Sequence, residues 1–149
     1  MRPAVPFVVV LAVCALPAAA ADAPNARVVV ARESAPTYPI LGGKGEATLL
    51  LNAETGSKEA ALSLLTLAPG AEVLEHLHEG SAELLYIEAG ACELTVGGVK
   101  VQAGPGSAVR IPAGVKHSAR VTSAVQSLRA VQVYVGPGPE QRFRGGPSK

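Results

Sequence analysis

The sequence predicts an all-β domain, an antiparallel sandwich or barrel. About ten short apolar runs follow one another along the 149 residues, each bounded by turn-forming residues. The 16 glycines and 12 prolines are scattered rather than clustered, as many short connections require. No segment carries a long apolar stripe at helical spacing.

The chain begins with a segment read as outside the fold. Met1 and Arg2 precede an apolar run from Val5 to Leu16, too short to span a bilayer. Pro17 breaks the run, and Ala18 to Ala21 offer small residues for cleavage. Residues 1–21 are therefore expected to be a secretory signal peptide, cut near Ala21, with the mature chain periplasmic or extracellular. Residues 22–43 are expected to hold a first strand over Arg27–Arg32 and then a loop marked by Pro36, Pro39, Gly42 and Gly43. The barrel itself is placed at 44–136 and a C-terminal tail at 137–149.

Within the barrel, strands are expected at Thr48–Leu51, Ala60–Leu67, Glu72–His78, Glu83–Ile87, Cys92–Val96, Val99–Val101, Ala108–Ile111, His117–Val121 and Leu128–Val135. Gly97-Gly98 between two apolar runs predicts a tight hairpin, because both positions tolerate positive φ. Gly136-Pro137-Gly138-Pro139 ends the sheet. The basic tail beyond Phe143 is expected to be mobile.

The formal net charge is +1, and loss of residues 1–21 removes Arg2 but no acid, leaving 12 basic and 12 acidic residues. That balance gives no electrostatic footprint for nucleic acid or an anionic membrane. Loss of Cys14 leaves Cys92 as the single cysteine, so no internal disulfide can form. Cys92 reads as a small buried strand residue. Aromatic residues make up only 3% of the chain, so Leu, Val, Ile and Ala must fill the interior.

All three histidines fall between Gly70 and His117. His76 and His78 share parity on a strand and point the same way. Glu83 shares parity with Leu85 and Ile87, which places its carboxylate on an apolar face, and a buried carboxylate needs a partner or a metal. His117 follows the Pro112-Ala113-Gly114 turn. Three imidazoles and one carboxylate read as a site for one divalent transition metal: Zn, Cu, Mn, Fe or Ni. Ligands from three separate segments require a closed barrel to meet.

These residues stand in two spaced motifs. Gly70, five residues, His76-Leu77-His78, four residues, Glu83, six residues and Gly90 form the first. Gly106, five residues, Pro112-Ala113-Gly114, two residues and His117 form the second, with Val121 where the pattern has Asn. The pair resembles the cupin superfamily. The resemblance implies a small single-domain cupin: a double-stranded antiparallel jelly-roll barrel with His76, His78, Glu83 and His117 binding one metal inside it. It also implies a homodimer made through edge strands, for which residues 28–30 and 128–135 are the candidates.

A metal with open positions can serve several chemistries. The first expectation is an exported metal-dependent dioxygenase or oxidase acting on a small organic molecule. The alternatives are a non-redox isomerase or lyase, or a protein that binds metal or a small ligand without turnover. The catalytic residues are not specified by the sequence. Tyr86, opposite in parity to Glu83, is expected to face outward or into the second sheet. Arg110, Gln132 and Tyr134 are weighed as lining of the barrel mouth but read as surface or packing residues. The aliphatic interior suits a small, partly apolar ligand.

Overall fold

A computed structural model describes residues 27–145. The expected signal peptide, its cleavage site and the last four residues of the tail lie outside the described residues. Ten strands are present among the described residues: β1 Thr37–Ile40, β2 Gly45–Leu51, β3 Ala60–Leu67, β4 Glu72–His76, β5 Ala82–Ala89, β6 Cys92–Val96, β7 Val99–Ala103, β8 Ala108–Ile111, β9 His117–Val121 and β10 Leu128–Val135. Four short 3-10 segments complete the list: Arg32–Ser34, Leu41–Gly43, Ala53–Thr55 and Pro139–Gly145.

The strands form two antiparallel sheets. One has six strands in the order β1-β2-β3-β10-β5-β8, the other four in the order β4-β9-β6-β7. The double-stranded jelly roll follows from this order, since chain neighbours β4 and β5 lie in different sheets and β10 returns between β3 and β5. The predicted Gly97-Gly98 hairpin joins β6 and β7 with φ of 56° and 82°. Gly90 is required for a different reason. A Cβ there would lie 2.6 Å from the Ser127 carbonyl oxygen, so only glycine lets β5 turn against the start of β10.

Strand alternation builds the interior. On β10, Leu128, Ala130, Gln132 and Tyr134 are buried, while Arg129 and Val135 are exposed. One apolar cluster gathers Leu67, Ile87, Cys92, Leu94, Val121 and Leu128, and a second gathers Ala47, Leu49, Ala61, Tyr134 and Phe143.

Three expectations are corrected. Arg27–Arg32 forms no strand: Val28 and Val29 are 96% and 82% exposed. Strand propensity is not enough where no neighbour supplies a ladder. The real first strand lies in the expected loop, at Thr37–Ile40, and contains Pro39. Among the described residues it pairs only with β2, and an edge strand tolerates a residue lacking an N–H. Second, Leu128–Val135 cannot offer an edge for dimer formation, because β3 and β5 pair with it on both sides. The free edges belong to β1, β8, β4 and β7. Third, the strand expected over Glu72–His78 ends at His76, so His78 does not share strand parity with it. Pro139–Gly145 forms a 3-10 segment with Glu140 and Phe143 buried.

That segment is anchored by apolar contact more than by charge. Phe143 joins the cluster of Leu49 and Tyr134, whereas Arg144 pairs bidentately with the largely exposed Glu54. Phe143→Ala is expected to destabilise the fold by about 3 kcal/mol. Arg144→Gln is expected to cost less than about 1 kcal/mol, because solvent screens an exposed pair. Chemical denaturation of the two variants checks the order; an equal or larger loss in Arg144→Gln would reverse the assignment.

Candidate metal centre

Sheet register brings the four expected residues together. His76 on β4 lies directly opposite His117 on β9 in the four-stranded sheet. Glu83 on β5 lies opposite Tyr134 on β10 in the six-stranded sheet. His78 sits in the connection between β4 and β5, where its carbonyl accepts a hydrogen bond from the Gly114 N–H at 2.8 Å. The turn that carries Gly114 is thereby tied to the segment that carries His78, three residues before His117. Closure of the two sheets sets one ligand atom from each of His76, His78, Glu83 and His117 within 4.8 Å of one another.

The imidazoles are oriented by their other nitrogens. His76 Nδ1 donates to the Leu74 carbonyl at 2.8 Å, and His117 Nδ1 donates to the Val115 carbonyl at 2.9 Å. In both rings the Nε2 atom is therefore the one turned to the centre, as a ligand imidazole held from behind requires. His76 Nε2 and His78 Nε2 are buried with no hydrogen-bond partner. The latter stands 3.3 Å from Glu83 Oε2 but is not aligned for a hydrogen bond. Unpartnered buried nitrogens are costly unless something binds them. A divalent metal with nitrogen and oxygen ligands at about 2.0–2.2 Å would place its donor atoms about 3.0–4.4 Å apart. The observed spread reaches that range with small side-chain shifts, so the donor set fits a metal ion.

Glu83 is the electrostatic centre. Burial opposes its charge, yet hydrogen bonds from His117 and Gln132 and the proximity of His78 outweigh that and hold the carboxyl well below its usual range. His117 Nε2 meets Glu83 Oε2 at 3.1 Å. With Nδ1 already donating to Val115, that contact needs a second ring proton or a cation in its place. Burial pulls His117 down, but Glu83 and the Val115 carbonyl raise it above its ordinary value. His76 moves the other way: burial lowers it to about 4, against the pull of the Leu74 carbonyl.

Behind Glu83 lies a polar chain. Gln132 Nε2 donates to Glu83 Oε1 at 2.5 Å and to the Tyr134 hydroxyl at 2.9 Å. Ser63 Oγ donates to Gln132 Oε1 at 3.0 Å, fixing the amide, and Arg142 donates to the Tyr134 hydroxyl at 3.2 Å. Burial, then the Glu83 charge, push the Tyr134 hydroxyl above its ordinary value. The reading of Gln132 as a surface or packing residue is thus corrected, since it is buried and holds Glu83; Tyr134 is a packing residue of the Leu49 cluster, and its hydroxyl accepts from Gln132 and Arg142. Their parity with Leu128 and Ala130 on β10 was the available signal. Ser63 and Arg142 were missed, Arg142 because it lies in what read as a tail. Arg110 and Tyr86 face outward, as expected.

The centre opens onto a cavity of about 800 Å³, walled largely by aliphatic side chains including Leu67, Ile87, Leu94 and Leu128. His76, Glu83, His117, Gln132 and Arg142 supply polar lining. Cys92 also lines it, but burial pushes its thiol up, away from the reactive thiolate. Val121, which departs from the second motif, is a buried core residue whose N–H bonds the Ala71 carbonyl at 2.9 Å.

The geometry sets the titration of the metal-free protein. The Glu83 contribution to stability is present above the ordinary carboxylate value and is lost as pH falls through its depressed folded value. The His117 contribution is full below the ordinary histidine value and is lost as pH rises through its raised folded value. NMR titration should find His76 with a midpoint of about 4 and His117 above 6.5. In Glu83→Gln the His117 midpoint should fall, since burial then dominates; an unchanged His117 would contradict the pairing.

Comparison with known proteins agrees with this architecture. A family model described as the Cupin domain matches residues 63–134. Protein SchB of Streptomyces halstedii is 30% identical over 109 residues, covering 73% of this chain and 77% of SchB. A solved structure of a predicted oxalate decarboxylase from Thermotoga maritima is similar with a TM-score of 0.64 and 26% identity, over 73% of this chain and 99% of that one. The nucleoside dehydratase Pac13 of Streptomyces, also solved with uridine, is similar in fold, with a TM-score of 0.64 and 15% identity over 77% of this chain and 86% of that one. By its two spaced motifs, its two-sheet barrel and these relatives, the chain belongs to the cupin superfamily.

Proposed function

We propose that the protein is a metal-dependent cupin oxidoreductase, dioxygenase-like or oxidase-like, acting on a small and partly apolar organic molecule. His76, His78, Glu83 and His117 hold one divalent transition metal. The observation that carries this reading is the pair of buried, unpartnered Nε2 atoms of His76 and His78, aimed at the same centre as Glu83 and His117. When bound, the metal supplies Lewis acidity and, if iron, copper or manganese, redox capacity beside the cavity.

The rest of the lining supports oxidation ahead of isomerase or lyase chemistry. An isomerase needs a side chain able to move a proton at the substrate. Here the imidazoles and Glu83 are committed to the centre, the Tyr134 hydroxyl is pushed up and accepts two hydrogen bonds, and Cys92 is a buried thiol. Lys44, Glu72 and Glu75, which also line the cavity, are exposed. The chain's own residues orient and desolvate the ligand: the aliphatic wall takes its apolar part, and Gln132 keeps Glu83 in place.

Export, the absence of membrane attachment in the mature form, and a homodimer complete the proposal. The apolar run and alanine exit of residues 5–21 motivate export, and the resemblance motivates the dimer. Among the described residues no helix is long and apolar enough to cross a membrane. An exported chain loaded outside the cytoplasm would take zinc or copper by availability. A pure iron or manganese site in native protein would overturn that preference, and an intact N-terminus on protein recovered from the native host would overturn export.

Protein isolated from its native compartment should contain about one metal per chain, and the His76→Ala/His78→Ala double variant should contain none. A folded wild type that neither retains nor takes up metal would overturn the assignment. With a redox metal, oxygen uptake should accompany turnover of a small organic compound; turnover without oxygen uptake would move the function to the non-redox class. Zinc affinity should weaken as pH falls. Because His117 is raised, proton competition begins above the ordinary histidine value, and affinity should drop by roughly tenfold per pH unit below the His117 midpoint. Competition against a chromophoric chelator from mildly alkaline to mildly acidic pH reads this directly. A flat profile would contradict the ligand set.

A further inference from the structure

We propose that Arg142, carried by the C-terminal 3-10 segment, is the specificity-determining residue of the cavity, and that it selects a small organic molecule with one carboxylate and an aliphatic body. The inference rests on the metal reading above and names the substrate class for that site.

Three observations lead to it. Arg142 lines the same cavity as His76, Glu83 and His117 from its solvent-exposed side, although it lies outside the barrel strands. Its guanidinium is held in place by a hydrogen bond from Nη2 to the Tyr134 hydroxyl at 3.2 Å and by its position 5.1 Å from the Phe143 ring centre. Among the described residues it has no carboxylate partner: Glu54 is taken by Arg144, Glu75 pairs with Lys116, Glu83 faces the histidines, and the buried Glu140 accepts from the Gly138 N–H and Gln141 Nε2. A planar fork with most of its donors uncommitted matches a carboxylate.

Charge balance points the same way. A divalent metal held by three neutral imidazoles and one carboxylate retains a net positive charge. With Arg142 beside it, the cavity carries two positive groups that repel until an anion joins them. Lys44, Glu72 and Glu75 stand at the exposed rim, where solvent screens all three, and Glu75 is paired with Lys116. The remaining wall is aliphatic, which suits a carboxylate with a hydrocarbon body better than a compact polyanion.

Hexanoate and hexanamide differ only in the charged group and make suitable probes. On zinc-loaded protein, calorimetry should show hexanoate bound at least about tenfold more tightly than hexanamide. Arg142→Gln should weaken hexanoate by on the order of tenfold to a hundredfold and leave hexanamide unchanged. Arg142→Lys, which keeps the charge without the fork, should recover part of the loss. Zinc content and melting temperature should be the same in all three proteins. Zinc retained with hexanoate held no better than hexanamide, or with the preference intact in Arg142→Gln, overturns this inference alone. A wild type that takes up no zinc overturns the metal reading, and the two-cation cavity with it.

Discussion

A carboxylate inside an aliphatic barrel keeps its charge only when several donors compensate the lost water, and Glu83 depends on that compensation. It is 5% exposed. One oxygen faces His117 and His78, and the other accepts from Gln132. The interaction constrains much of the chain. It demands that β5 turn its odd residues inward, that β10 present Gln132 beside it, and that the second sheet bring His117 across the interior. A one-residue slip of β5 or β10 would place Leu84 or Val133 at these positions and leave the imidazoles facing an apolar wall.

The two-sheet architecture makes such convergence cheap. His76 and His117 are cross-strand partners in one sheet, and Glu83 and Tyr134 are partners in the other. Each pair is fixed by backbone ladders, so the side chains meet without long loops or strained backbone. Ser63, Gln132, Tyr134 and Arg142 then form a hydrogen-bonded chain running from the centre to the C-terminal segment, with the Tyr134 hydroxyl accepting from Gln132 and Arg142. The Phe143 anchor therefore serves function as well as stability, since it sets where Arg142 stands. Around this polar wall the aliphatic residues enclose space rather than fill it, which gives the barrel a cavity instead of a solid core.

Most of the strand framework was legible because parity and turn chemistry are local. Ala60–Leu67, Cys92–Val96, Ala108–Ile111, His117–Val121 and Leu128–Val135 coincide with the observed strands. The grouping of His76, His78, Glu83 and His117 was legible from the motif spacing and, for Glu83, from its parity with Leu85 and Ile87; the strand parity expected for His76 and His78 does not apply, because β4 ends at His76. What failed was non-local. Val28-Val29-Val30 has strand propensity but no partner, and Thr37–Ile40 has two neighbouring prolines but gains a partner in β2. The centrality of β10 depends on the return of the chain between β3 and β5, which no local pattern encodes. Gln132 was undervalued because polar residues are usually exposed, and the Glu83 carboxylate explains its burial; the placement of Arg142 depends on the packing of Phe143, which the sequence of a tail does not show.

The central claim is that three imidazoles and one carboxylate from both sheets share one metal. X-ray absorption spectroscopy of the zinc-loaded protein tests it most directly. The structure predicts three imidazole nitrogens and a carboxylate oxygen at about 2.0–2.2 Å, with no sulfur near about 2.3 Å. A sulfur shell, which Cys92 would have to supply, or fewer than three imidazoles would contradict it.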